Sequence, residues 1–104
     1  MTIMIVNPGA CGFTCSVKVT KLDKYRATVE LASQCKQIQR LAQMLQEVDF
    51  LGIYRGPFGQ NIVSQSAAQC KCHPSCPIPC SVIKAIEGEL GMAVKKDVEF
   101  NYKE

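Results

Sequence analysis

The fold prediction starts from residues 16–48, which read SVKVTKLDKYRATVELASQCKQIQRLAQMLQEV. Apolar and polar residues alternate over 16–21 and again over 25–32, with a plausible turn between them. Because alternation of period two is typical of strands with one buried face, this half predicts an antiparallel hairpin. From Ser33 onward the apolar period changes to 3.6, with apolar residues at 38, 41, 45 and 48. This change predicts an amphipathic helix of about fourteen residues that Ser33 caps.

The segments on either side add further elements. Residues 2–6 are rich in β-branched side chains and end at Asn-Pro-Gly, so they predict a first strand. The Gly-rich and Pro-containing residues 49–60 predict a loop, and Asn61 is placed to cap a short helix. Residues 94–102 return to a mostly alternating pattern, which predicts a last strand.

A second long helix completes the expected architecture. It should begin at about Pro79, since proline suits the first helical position, and end at Gly91. We therefore expect a single Cys-rich domain over residues 1–104 of the α+β class. It should have a small, mainly antiparallel sheet with two longer helices on one face, in the order β-β-β-α-(α)-α-β.

Composition excludes several classes of protein. The 104 residues are 47% hydrophobic and 20% charged, which is a globular composition and not a disordered one. The net charge of +3 is too small to indicate a nucleic-acid partner or an anionic membrane. No apolar run approaches the ~20 residues of a membrane span, and the chain start lacks the pattern of a secretory leader. We therefore expect a cytoplasmic protein with neither a nucleic-acid nor a membrane partner.

The unusual feature is the number of cysteines, which is seven. An odd number leaves at least one thiol unpaired within the chain. In a reducing cytoplasm, clustered cysteines indicate metal binding or thiol chemistry more often than structural disulfides. The alternative for each cysteine is a small buried hydrophobe.

Residues 70–80, CKCHPSCPIPC, hold four of the cysteines and the only histidine. Zinc sites commonly use Cys-x₂₋₄-Cys pairs, and the first gap here is tighter than that. His73 could be a ligand, a proton shuttle or an exposed side chain. The predicted metal ligands are the four cysteines and the histidine of this segment, together with two cysteines from elsewhere in the chain. They are Cys70, Cys72, Cys76, Cys80, His73, Cys11 and Cys35, and zinc is one candidate metal.

A second geometry takes one cysteine from each region of the chain. Cys11 and Cys15 lie in a loop before a strand, Cys35 lies in the first turn of a helix, and Cys76 and Cys80 lie at the start of another. Helix N-termini stabilise thiolates, and residues 50–86 contain no acidic side chain. An iron–sulfur cluster bound by Cys11, Cys35, and Cys80 or Cys76 is the candidate cofactor of this geometry.

Three short motifs carry a resemblance to a known family. They are Ala10-Cys11-Gly12, Cys35 at a strand-to-helix junction, and Cys80-Ser81 opening an amphipathic helix. In this order they resemble the U-type iron–sulfur scaffold proteins, small α+β domains that assemble a cluster and pass it to apo-proteins. The resemblance implies cluster ligation by Cys11, Cys35 and Cys80 and a protein partner. Phe13 stands where that family has Asp, and Pro79 where it has His. The chain also looks like small uncharacterised Cys-rich proteins of anaerobes.

Two other hypotheses stay open. Cys76 and Cys80 could form the reactive and resolving thiols of a redox protein, although Cys-x-x-x-Cys is a weak signal. The chain could also be a non-catalytic partner subunit that uses residues 50–59 as a contact surface. A homodimer could bridge a cluster between its two chains. No hydrolase, nucleotide-binding or metalloprotease motif is present, so enzymatic activity is left open, with a non-enzymatic role favoured.

Overall fold

The computed structural model describes all residues, 1–104. The elements along the chain are β1 (Thr2–Val6), β2 (Cys15–Lys21), β3 (Arg26–Ser33), α1 (Lys36–Met44), β4 (Glu47–Asp49), α2 (Phe50–Tyr54), α3 (Ile62–Gln69) and α4 (Ile78–Glu89). The α+β prediction is confirmed, with β4 and α2 added to the expected elements. None of the four helices is long and apolar enough to cross a membrane.

The sheet is an antiparallel meander in which spatial order equals chain order, β1-β2-β3-β4. The alternating pattern sets its register, because it places one set of side chains on the covered face. Val17, Val19 and Val29 are all buried there, and Val19 lies opposite Val29. Helix α4 packs on β1 and β2, and α1 packs on β3. Both longer helices therefore cover one face, as the sequence predicts.

Helix α1 is shorter than predicted at both ends. It begins at Lys36 with Cys35 as the N-cap, because the Ser33 hydroxyl accepts a hydrogen bond from the Cys35 N–H (3.1 Å) and holds that residue outside the helix. It ends at Met44, since Val48 pairs with Ala27 across β3 and β4 and is not a helical residue. The apolar stripe is real, and its buried leucine Leu41 would cost about 2–5 kcal/mol if truncated to alanine.

Helix α2 lies within the segment that the sequence predicts as loop. The Asp49 carboxylate caps it by accepting a hydrogen bond from the Leu51 N–H (2.9 Å). Phe50 and Ile53 are buried, so packing overrides the weak helix propensity of the Gly-rich segment. The Asn61 cap of α3 is confirmed, because its side chain accepts from the Ser64 N–H (2.9 Å).

The predicted last strand is wrong. Residues 94–102 have no regular structure, and the side chains of Val94, Phe100 and Tyr102 are almost fully exposed. The alternating pattern is present, but this segment pairs with no strand of its own sheet. Helix α4 also starts one residue early, at Ile78, which leaves Pro79 in its first turn.

One end of the sheet, called the Glu89 end below, is held by a carboxylate close to the end of α4. Glu89 accepts hydrogen bonds from the Thr2 hydroxyl (2.8 Å) and the Lys21 N–H (2.9 Å), and the Met1 ammonium lies 3.0 Å away. Burial alone raises the pKa of this carboxyl, but these partners outweigh it and lower the pKa to about 2. Glu89 thereby joins α4 to the edges of β1 and β2.

Candidate functional site

At the opposite end of the sheet, four cysteines from three separate parts of the chain lie within electrostatic reach of one another. This thiol cluster consists of Cys15, Cys35, Cys72 and Cys76. Each of its thiols is near enough to at least two others for their charges to interact. In this arrangement no three His, Cys, Asp or Glu side chains are close enough together to hold a metal ion. Joint ligation therefore requires the thiols to rotate or shift toward one another.

Cys15 enters the cluster through strand alternation. It is the first residue of β2, lies opposite Val6 and Ser33, and has no exposed surface. The sequence prediction leaves Cys15 out of both ligand sets. The signal that could have found it is its phase, because Cys15 points the same way as the buried Val17 and Val19.

Cys35 occupies the N-cap of α1 and makes no capping hydrogen bond there. Its thiol donates instead to the Gln37 side-chain oxygen (3.2 Å). Helices α2 and α3 have capping side chains, Asp49 and Asn61, whereas α1 and α4 have none. Good N-caps stabilise a helix by about 0.5–2 kcal/mol. The two helices that begin at the thiol cluster are therefore the two that forgo this stabilisation.

Cys72 is positioned by the way α3 ends. The Cys72 N–H donates to the Ala67 carbonyl (3.0 Å) and the Lys71 N–H to the Ala68 carbonyl (3.1 Å), which together form a Schellman motif. The motif needs a left-handed residue, and Lys71 supplies it with φ +58°. Glycine normally takes this position, since a side chain there costs about 1–2 kcal/mol. The strained turn brings Cys72 back toward the sheet.

Cys76 follows a tight turn and precedes α4. Its N–H donates to the His73 carbonyl (3.0 Å), with Pro74 at the turn position that proline favours. A backbone hydrogen bond from Ile78, the first residue of α4, reaches the Cys76 thiol and favours its ionised form. The prolines of this segment therefore fix the path that delivers Cys76 to the cluster.

Burial favours the neutral form of three cluster thiols, those of Cys15, Cys72 and Cys76. Burial raises the pKa of Cys15 and of Cys72 to about 11, and the charges of neighbouring thiols add to the increase. Burial also raises the pKa of Cys76. The opposing influences are smaller, a backbone hydrogen bond from Ala32 to Cys15 and the charge of Arg40 near Cys72. Ionising the cluster thus requires compensating positive charge. A raised pKa is the opposite of what a nucleophilic Cys76 needs.

The remaining predicted residues lie around the cluster or away from it. Cys11 is exposed in a turn closed by a hydrogen bond from the Gly12 N–H to the Gly9 carbonyl (3.0 Å), and its charge reaches Cys76. Cys70 is buried next to Cys72 and donates to the Met44 sulfur (3.4 Å). Cys80 and His73 are exposed, and neither is among the groups whose charges act on the cluster. The structure therefore brings Cys35 and Cys76 together but leaves Cys80 outside.

Acidic residues are absent from the stretches of chain around the cluster thiols, residues 1–22, 31–46 and 50–86. The nine carboxylates are Asp23, Glu30, Glu47, Asp49, Glu87, Glu89, Asp97, Glu99 and Glu104. The cation whose charge acts on Cys72 is Arg40, which also donates to the Cys70 carbonyl (3.3 Å). A soft, cationic ligand would therefore meet only sulfur donors in the cluster, without competition from carboxylate oxygens.

Comparison with known proteins corrects one expectation from the sequence. No curated protein and no solved structure matches the chain. The resemblance to U-type scaffold proteins is wrong, because the family model that matches describes a different family and nothing shows such a relationship. The exposed Cys80 agrees with this correction, since its motif carried most of the resemblance. The match spans residues 2–102, and the chain belongs to DUF6951, a family of unknown function.

Proposed function

We propose that this protein binds a soft metal ion or an iron–sulfur cluster through the thiol cluster. The observation that supports the proposal is the convergence of four thiols from β2, the N-cap of α1, the turn after α3 and the turn before α4. Thiolates are the preferred ligands of zinc and of iron–sulfur clusters. No carboxylate lies in the stretches of chain around the cluster thiols, which disfavours calcium and magnesium.

Simple core packing explains this arrangement less well. A cysteine used as a small hydrophobe needs only an apolar position on a buried face, as Cys15 has. Cys35, Cys72 and Cys76 instead retain partial exposure and lie at helix ends and turns. The chain accepts an uncapped α1 and a left-handed lysine at these points, and each costs stability. Ligand binding is a reason to retain such costs at a functional site.

Binding would couple metal capture to proton release. Burial favours the neutral form of Cys15, Cys72 and Cys76 in the metal-free protein, whereas the ligand form is the thiolate. A bound cation supplies the positive charge that the fold itself lacks there. Cys11, exposed and within electrostatic reach of Cys76, is the further thiol that could join the site.

The test uses protein prepared without oxygen and then titrated with Zn²⁺ or Co²⁺, or reconstituted with Fe²⁺ and sulfide. We expect thiolate-to-metal absorption with Co²⁺, or visible absorption with acid-labile sulfide for a cluster. Cys35→Ser and Cys76→Ser should each weaken binding by more than about 100-fold. Cys80→Ser is the matched control and should bind as the unaltered protein does.

Two results would overturn the proposal. One is a protein that takes up neither metal nor cluster under reducing conditions. The other is equal binding by the Cys76→Ser and Cys80→Ser variants, since that would place the ligands elsewhere. Urea unfolding of each variant separates lost binding from lost folding.

A further inference from the structure

The β1 edge of the sheet lacks the features that normally protect an edge strand. Proteins protect such edges with charged residues, proline, bulges or very short strands. The other edge, β4, is three residues long and carries Glu47 and Asp49 at its ends. In contrast β1 is uncharged, pairs with β2 without interruption, and has Ile3 and Ile5 59% and 63% exposed. It therefore presents unpaired backbone groups beside two exposed isoleucines.

The same chain carries a segment with the pattern of a strand and no partner. In this C-terminal arm, residues 94–102, the side chains of Val98, Phe100 and Tyr102 alternate with polar ones and are 54%, 91% and 97% exposed. No residue of the arm makes a backbone hydrogen bond within the chain. Alternation of this kind is typical of a strand with one covered face, which the isolated chain does not provide.

The arm leaves the fold next to the unprotected edge. Glu89, two residues before Gly91, contacts Thr2 at the start of β1 (2.8 Å). Gly91, with φ +74°, then turns the chain out of α4. If two copies meet where Glu89 contacts Thr2, the arm of each copy can reach β1 of the other copy.

We propose that two copies of this chain form a dimer in which each C-terminal arm pairs as an added strand with β1 of the other copy. The exchange pairs the β1 edge of each copy with the C-terminal arm of the other. A two-fold axis relates the two copies, so the assembly stops at a dimer. Within one chain the arm starts near β1 but does not pair with it. The arm of a second copy is therefore the strand that pairs with the β1 edge.

The area involved is sufficient for a stable dimer. Burying the four aromatic rings of two arms, at about 150–250 Å² each, removes about 600–1,000 Å² from water. The valines of the arms and the isoleucines of β1 add to this. The total then reaches the range of about 1,200–2,000 Å² that specific interfaces bury.

The test measures mass by light scattering after size exclusion, with a chelator and a reductant present to exclude metal bridges and disulfides. We expect the full chain at twice 11.4 kDa. The double variant Val98→Glu/Phe100→Glu should be a monomer, because it places charge on the apolar side of the arm. Asn101→Glu adds charge on the opposite side of the same arm and should remain a dimer.

Hydrogen exchange gives the second readout, on the β1 amides that do not bond to β2, since those that do are protected in a monomer as well. We expect them to be protected in the full chain and to exchange at least tenfold faster in the double variant. A monomer with unprotected β1 amides overturns the proposal. A monomer with protected amides also overturns it, since the arm would then cover its own edge. A dimer that the double variant leaves intact overturns it as well, because another surface would form the interface.

Discussion

The Glu89 end and the thiol end of the same sheet are stabilised by opposite chemistry. At the Glu89 end an ionised carboxylate has two hydrogen-bond donors and an ammonium, so its pKa falls to about 2. At the thiol end, burial and mutual repulsion raise the pKa of Cys15 and Cys72 to about 11. The first end supplies its own counter-charge within the fold. The second has only the charge of Arg40 near Cys72 as counter-charge, and burial favours neutral thiols there.

The largest expected effect is the pH dependence of metal binding at the thiol end, where an added cation would offset the charge of the thiolates. Because Cys15, Cys72 and Cys76 must each lose a proton on ligation, the apparent Zn²⁺ affinity should fall about 1,000-fold per pH unit between about pH 8 and 6. Competition with a chelator of known affinity measures it. An affinity that does not change with pH would mean that these thiols are not ligands.

The next effect concerns the metal-free protein at alkaline pH. A thiol whose pKa is raised by folding stabilises the native state below its unfolded pKa of 9.0, and this contribution is lost as pH rises toward 11. We expect the free energy of unfolding to fall by about 2–4 kcal/mol over that range, measured by urea denaturation with reductant and chelator. Cys15→Ala should reduce the fall, and an unchanged slope in that variant would contradict the assignment.

The stabilisation at the Glu89 end should instead be lost in acid. A carboxylate whose pKa is lowered by folding stabilises the protein above its unfolded pKa of 4.5, and this stabilisation is lost as pH falls toward 2. Glu89→Gln should therefore cost about 2–3 kcal/mol at neutral pH and almost nothing near pH 2. Thermal unfolding of both proteins across this range checks the convergence. A constant difference at every pH would show that the loss comes from packing and not from the charge.

The smallest effect compares two helix ends that use one motif. Helix α3 ends at the thiol end with Lys71 in the left-handed position, and α4 ends at the Glu89 end with Gly91 there. Lys71→Gly should stabilise the protein by about 1 kcal/mol, because it relieves the backbone strain. Gly91→Lys, which meets no atom within 4 Å, should destabilise it by a similar amount. Urea midpoints measure both, and a destabilised Lys71→Gly would show that the lysine side chain makes a compensating contact.

The sequence predicted the elements that follow from the hydrophobic period, and it missed the elements that depend on tertiary contacts. The hairpin, the stripe of α1 and the Asn61 cap follow from local patterns, and all are confirmed. The short β4 and α2 form because Val48 and Phe50 find partners across the core, which no local pattern reveals. Residues 94–102 show the reverse case, in which a strand pattern lacks a partner within the chain.

The sequence predicted that the candidate site consists of cysteines, but not which cysteines belong to the thiol cluster. Loop and helix-end positions indicated Cys35 and Cys76 as ligands. Cys15 was missed because a buried strand position looks the same for a ligand as for a core residue. Cys80 was included because it shares the start of α4 with Cys76, yet the helix turns it to the exposed side.

The meander also sets an order of events for folding. Every strand pairs with its neighbour in the chain, so the sheet can assemble from short-range closures, which are fast. Cys15 and Cys76 lie at the two ends of a segment of about 60 residues, and joining them carries the large entropy cost of a long loop. Cys76 therefore reaches Cys15 only once α4 has docked on β2. A partly folded chain lacks the complete thiol cluster, so the cluster exists only in the finished fold.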